Sequence, residues 1–96
     1  MLNLKFSAEV IYWRGPSPYY FAPVPDAQAK KIKAMASELT YGWGVIPARV
    51  KIGKTEFTTS LFPRQGGYMV PIKNVVREAE ELDVDDKIVV HLFFGD

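Results

Sequence analysis

The cations of the second half of the chain offer the most direct chemistry. Lys73 and Arg77 bracket the expected start of a helix, with Glu80 and Glu81 toward its end, the reverse of what the helix dipole favours. Two arrangements account for them. One is an anion site built from Lys73, Arg77 and free backbone amides; the other is a structural ion pair of Arg77 with Asp85 or Asp86, or with Glu81 one turn on. Arg64 is a further cationic point, followed closely by Gly66 and Gly67. A phosphate loop needs its glycines between a strand and a helix, with a Lys-Ser or Lys-Thr after them. Here they join two strands, so an ordinary hairpin is expected, with Arg64 left at its tip as a ligand contact.

Aromatic residues form the second group. Trp13, Tyr19, Tyr20, Trp43 and Tyr68 all lie near turns or strand ends, where they either pack the ends of a small core or line a ligand mouth. His91, the one histidine, shares a strand face with Val89 and Phe93 and has no second metal ligand near it in the chain. Ser60 has no histidine placed in sequence to activate it. The acidic run from Glu78 to Asp86 lacks the spacing and glycine of a calcium loop and reads as a solvated face. The ligand- or anion-binding candidates are therefore Arg64, Lys73, Arg77, Trp13, Trp43 and Tyr68. No catalytic residue, metal ligand or cofactor is predicted.

The elements that must position these residues follow from patterning. Leu2 to Tyr12 alternates apolar and polar residues, the signature of a half-buried strand. Gly15, Pro16, Ser17 and Pro18 supply a turn, and Tyr19 to Val24 returns as a second strand that Pro25 ends. Asp26 is the expected N-cap of a helix whose stripe is Ile32, Met35, Ala36 and Leu39. Gly42 and Gly44, flanking Trp43, release the chain into a strand from Val45 to Ile52, where Pro47 suggests an edge or a bulge. Gly53 and Lys54 make a tight hairpin into Thr55 to Phe62, which Pro63 closes. Gln65, Gly66 and Gly67 turn the chain into a strand from Tyr68 to Ile72, stopped at Pro71. Asn74 is the expected cap of a second helix burying Val75, Val76, Ala79 and Leu82, and Ile88 to Phe94 is the last strand.

Set side by side, residues 2–52 and 55–94 repeat the order strand, strand, helix, strand, with Val24 and Pro25 matched to Val70 and Pro71. Neither half could bury enough surface alone, whereas two together could close a shared sheet and remove its edges. The expected fold is mainly β: one domain over residues 1–96, a small closed or double-split barrel of about six strands with two short helices. A split α+β sandwich is the competing architecture. Twelve Lys and Arg against eleven Asp and Glu give a net charge of +1, which disfavours a dedicated nucleic-acid binder. The absence of cysteine excludes disulfides and thiolate chemistry and fits a reducing, cytoplasmic setting. Asn3, Lys5 and Glu9 interrupt the apolar opening, so neither a signal core nor a membrane span is expected there.

The run SLFPRQGGYMVPIKNVVREAEELDVDDKIVVHL, with YYFAPVP in the first half, resembles the family catalogued as domain of unknown function nineteen-oh-five over nearly the whole chain. The second half is also similar to the AbrB/MazE type of swapped-hairpin domain, which implies that one chain here supplies both halves of a double-split barrel. Where that pattern has Gly-Asp, this chain has Asp85 and Asp86, so a position that favours positive φ carries a residue that tolerates it. The resemblance brings no catalytic residues. The function expected is a non-catalytic binding or interaction module for an unidentified ligand, with a homodimer compatible. The alternative is an AbrB/MazE-like DNA-binding regulator using Arg14, Arg49, Lys51 and Arg64 against phosphates. A small hydrolase built on Ser60 or an Asp pair has no nucleophile and base signature behind it.

Overall fold

The computed structural model of the chain describes residues 2–14, 18–35 and 46–94. Trp43, the turn at Gly15 to Ser17, the helical-stripe residues Ala36 and Leu39, the glycines at 42 and 44, and Val45 lie outside the described residues. The strands are β1 (Leu2–Glu9), β2 (Ile11–Arg14), β3 (Pro18–Pro23), β4 (Ile46–Ile52), β5 (Thr55–Arg64), β6 (Gly67–Ile72) and β7 (Lys87–Phe94). Helix α1 (Asp26–Ala34) follows β3, and α2 (Asn74–Ala79) follows β6. The strands form one curled antiparallel sheet in the order β1-β7-β4-β5-β6-β3-β2.

Period-two burial sets which face is inside. On β7, Ile88, Val90, Leu92 and Phe94 are buried between β1 and β4, while Lys87 and Val89 are exposed. Val50 and Ile52 of β4, Leu4 and Phe6 of β1, and Val70 and Ile72 of β6 join the same core, with Ala29 and Ile32 of α1 and Val76 of α2.

Several expectations shift by a few residues, each for a backbone reason. The first strand does not run unbroken to Tyr12: it bends at Val10, whose N–H donates to the Asp86 carbonyl at 2.9 Å and whose carbonyl accepts from the Asp85 N–H at 2.8 Å. Val10 thus turns from one ladder to another, so that β1 pairs with β7 and β2 with β3. Asp85 adopts φ 73°, the strained position anticipated at this turn. Asp26 and Asn74 are the first residues of their helices and not the caps; Pro25 and Lys73 hold the cap positions, with no side-chain capping bond. Because α2 has only six residues, it buries one position, Val76, and leaves Val75 68% exposed and Ala79 exposed.

Pro63 does not close β5, and Pro71 does not stop β6. β5 changes partner midway: Thr55 to Leu61 pair with β4, and Phe62 to Arg64 pair with β6. By Pro63 the β4 ladder has ended at Leu61, so among the described residues no β4 partner needs an N–H from it. The hairpin turn uses Gln65 (φ 49°) and Gly66 (φ 80°), both in the left-handed region, as a two-residue type I′ connection requires. Gly67 is already in β6. Pro47 sits beyond the part of β4 that pairs with β7, which begins at Arg49.

The C-terminus of α2 closes as a Schellman motif. The Leu82 N–H donates to the Arg77 carbonyl at 2.9 Å and the Glu81 N–H to the Glu78 carbonyl at 3.3 Å, with Glu81 at φ 53° where glycine is favoured. Glu81→Gly is therefore expected to raise the unfolding free energy by about 0.5–1 kcal/mol in urea titration, with an unchanged m-value. Next to it, Glu80 clamps the β4–β5 hairpin. Its Oε2 accepts from Thr55 Oγ1 at 2.6 Å and from the Lys54 N–H at 3.3 Å, and its carboxylate occupies the space a Cβ on Gly53 would need. Glu80→Ala should cost about 1–2 kcal/mol, read as a fall of roughly 5–10 °C in melting temperature, because it removes two charge-assisted bonds together.

Candidate ligand-binding site

The register of the strands explains where the β5–β6 ladder ends. Each hairpin has a two-residue turn, so Arg64↔Gly67 and Ile52↔Thr55 are hydrogen-bonded pairs and the alternation along each ladder is fixed. Odd-numbered residues of β5 up to Leu61 therefore bond to β4, whereas Phe62 and Arg64 bond to β6. The next bonded pair in the β5–β6 ladder would be Ser60 with Pro71. Proline has no N–H to give, and the ladder ends at Phe62↔Met69. On its other side Pro71 faces Phe21 of β3 at a position where no bond is needed, as does Pro23 opposite Met69. Pro71 thus leaves the β3 ladder intact while it ends the registered ladder with β5.

Where that ladder ends, residues of β2, β3, β5 and β6, with Lys73 and Asn74, border a cleft of about 860 Å3. Phe21 and Met69 form its inner wall: both are buried, yet neither belongs to the main core, because they lie on the opposite face of the sheet. Trp13 and Phe62 stand at its rim, 47% and 44% exposed. Their rings lie against Phe21, with centroids 6.1 Å away for Trp13 and 6.4 Å for Phe62. Ser60 and Thr59 border the cleft on the β5 side, and Pro71, Lys73 and Asn74 on the β6 side.

Two cations belong to this cleft and no described acidic residue lines it. The Arg64 guanidinium lies 5.7 Å from the centroid of the Trp13 ring, and its Nη1 is 3.3 Å from the Met69 sulfur. Lys73 lies beyond the far end of β6, exposed to solvent. Arg64 precedes β6 and Lys73 follows it, so the six residues of the strand set the two apart by about 20 Å of backbone.

Of the residues singled out in sequence, the fold brings Trp13, Arg64 and Lys73 to one cleft. Tyr68 lies on the other side of the same hairpin, beside Gln65, Gly66 and Lys33. Arg77 does not reach the cleft. Its guanidinium carbon lies 4.5 Å from the centroid of the Tyr20 ring, and its Nε is buried without a hydrogen-bond partner among the described residues. The ion pair with Asp85, Asp86 or Glu81 does not form: Asp86 instead accepts from the Asp83 N–H at 2.8 Å, and the one ion pair among the described residues is Arg49 with Glu56 at 3.8 Å. His91 lies against Phe93, ring centroids 4.1 Å apart, with Nε2 3.4 Å from Asn3 Oδ1, and is not among the residues lining the cleft around Ser60.

Sequence reasoning missed Phe21, Phe62, Met69 and Pro71 as cleft residues. The signal was present in the numbering: counting pairs outward from the Gln65–Gly66 turn puts Pro71 opposite Ser60. No helix among the described residues is long and apolar enough to cross a membrane. No curated protein matches the chain. The family comparison matches residues 6–92, a span that includes every element bordering the cleft, and the chain belongs to the family described as Domain of unknown function (DUF1905).

Proposed function

We propose that this chain is a non-catalytic binding module whose β5–β6 cleft takes an elongated apolar ligand bearing an anionic group. The observation that carries this reading is the composition of the cleft: aromatic and thioether walls, cations at both ends, and no described carboxylate among its lining residues. Apolar walls supply affinity through burial, and a few placed polar groups select the ligand. The cleft holds hydroxyls and cations but no general base paired to Ser60, which favours binding over hydrolysis.

The architecture that fits this reading is a closed double-split barrel with internal pseudo-twofold symmetry. Its support is the pairing pattern. The outermost strands in the sheet order, β1 and β2, are joined through Val10 alone, so one bent strand spans both edges. β5 makes the same change of partner, from β4 to β6, in a single strand. Pro23 and Pro71 each stand three residues before the first residue of a helix, which aligns the halves two residues away from the Pro25–Pro71 match suggested by sequence. In that alignment Lys73 and Asn74 correspond to Pro25 and Asp26. A smaller cleft of about 380 Å3 lies by Pro23 and Asp26 and shares Arg64 and Met69 with the first.

The DNA-binding alternative is disfavoured by the placement of its cations. Arg49 is engaged by Glu56 and lies 4.6 Å from the centroid of the Phe93 ring, whereas Arg64 stands at the cleft, so these do not make one phosphate-tracking surface.

The binding reading is tested with anilinonaphthalene sulfonate, an apolar anion, against its uncharged relative N-phenylnaphthylamine. Saturable one-to-one binding of the sulfonate is expected, about fivefold or more tighter than the neutral probe at low salt and converging with it as salt is added. Failure of both probes to saturate would remove the cleft as a binding site.

A further inference from the structure

Resting on the reading of the cleft as the binding site, we infer that its occupant is a flat, fused-ring aromatic acid whose anionic group is bonded directly to the ring, and not a flexible acyl chain with a charge at its end. The walls carry the argument. Trp13 and Phe62 line the cleft half-exposed, and both pack on Phe21, their ring planes at 56° and 66° to it. Pro63 and Pro71 add rigid rings, one on each of the strands β5 and β6. None of these side chains has a long flexible stem. A wall of fixed rings accepts another ring by offset stacking or edge-to-face contact, which a run of methylenes cannot make. A fused ring also has no rotamers to lose on binding, whereas every acyl bond frozen in the cleft costs entropy.

At the Arg64 end, the position of the cation fixes where the ligand's charge must be. The guanidinium carbon lies 5.7 Å from the centroid of the Trp13 ring, and Nη1 rests 3.3 Å from the Met69 sulfur, a weak acceptor. Among the described residues no carboxylate pairs with Arg64. A carboxylate or sulfonate on a ring that packs against Trp13 is therefore within reach of the guanidinium, which binds such groups through paired N–H donors. A charge at the end of a long chain has no such fixed relation to the ring wall. A nucleotide, another aromatic anion, holds its phosphate a whole sugar away from the base and needs polar groups along the base edge. The inner wall here is Phe21 and Met69.

The test uses the intact protein and compares naphthoate with undecanoate, an acid with the same number of carbons, in displacing bound anilinonaphthalene sulfonate. On apolar area alone the chain would bind more tightly. Naphthoate is nevertheless expected to bind at least about fivefold more tightly than undecanoate. Trp13→Leu and Phe62→Leu keep the walls apolar but each remove a ring. Each should weaken naphthoate by about threefold or more and change undecanoate by less than about twofold, with the melting temperature little altered. Several results would overturn the aromatic proposal while leaving the cleft intact as a binding site: naphthoate that fails to displace the sulfonate, undecanoate that binds as tightly, adenosine monophosphate that binds more tightly than naphthoate, or leucine variants that weaken both acids alike. Failure of the sulfonate itself to bind is the separate result that would remove the cleft reading.

Discussion

Leu92→Ala is expected to lower the unfolding free energy by about 2–5 kcal/mol, a large effect for the truncation of a single side chain. Leu92 is fully buried on β7, in register with Leu4 of β1 on one side and Val50 of β4 on the other. The deletion would leave a cavity where three strands meet, and none of the three can move inward without breaking a ladder. For a domain of this size a loss of that order is a large fraction of the total, and the melting temperature should fall by about 10–30 °C. Val89→Ala on the same strand is the control: its side chain faces solvent and the change should stay within about 0.5 kcal/mol. A larger loss at Val89 than at Leu92 would show that the faces of β7 are exchanged, a slip of one residue.

The double substitution Arg64→Glu, Lys73→Glu is expected to weaken binding of anilinonaphthalene sulfonate by about thirtyfold or more. Losing the charge-assisted hydrogen bond to the one sulfonate costs roughly 2 kcal/mol, which converts to that ratio. Both positions need changing because a single anionic group can sit at either end of the cleft. N-phenylnaphthylamine should bind the variant as it binds the parent, and the salt dependence of the sulfonate should flatten or invert. Both side chains are exposed, so thermal stability should shift little, which separates a binding defect from an unfolded protein. If the sulfonate bound parent and variant alike, the cations would have no part in ligand recognition.

Strands with one wet face were the most legible part of the sequence. Leu4 and Phe6 alternate with Asn3, Lys5 and Ser7, and the structure buries the first set and exposes the second, whereas the run from Ile88 to Phe94 reads as largely apolar and has Val89 half-exposed. The prolines were legible as special but not in their effect. A strand has two edges, and sequence does not say which edge has a neighbour, so Pro63 and Pro71 looked like stops when each lies within a strand. The helix caps were misplaced because Asp26 and Asn74 have the right chemistry for capping, yet Pro25 and Lys73 carry the extended backbone that a cap position requires. Arg64, Lys73 and Trp13 stood out as charged or aromatic groups near turns, and they do converge. The cleft itself was not visible, since its walls come from four strands that only the sheet order brings together. Arg77 was read through charge alone; the partner it found is the face of Tyr20, a pairing that sequence distance gives no reason to expect.

The bend at Val10 sets an order of events for folding. β1 pairs with β7 alone, and the residue that ends β1 is held by the backbone of Asp85 and Asp86, almost the whole chain away. Among the described strands β1 is thus made earliest and waits longest for its ladder. Until β7 is made, its apolar row of Leu4 and Phe6 has no sheet to join. Hairpins β4–β5 and β5–β6, each closed by a two-residue turn, can form early and cheaply, while closure between the ends carries most of the loop entropy. Sequence separation therefore favours assembly from the β4–β5–β6 hairpins outward, with β1 docking only when β7 is present.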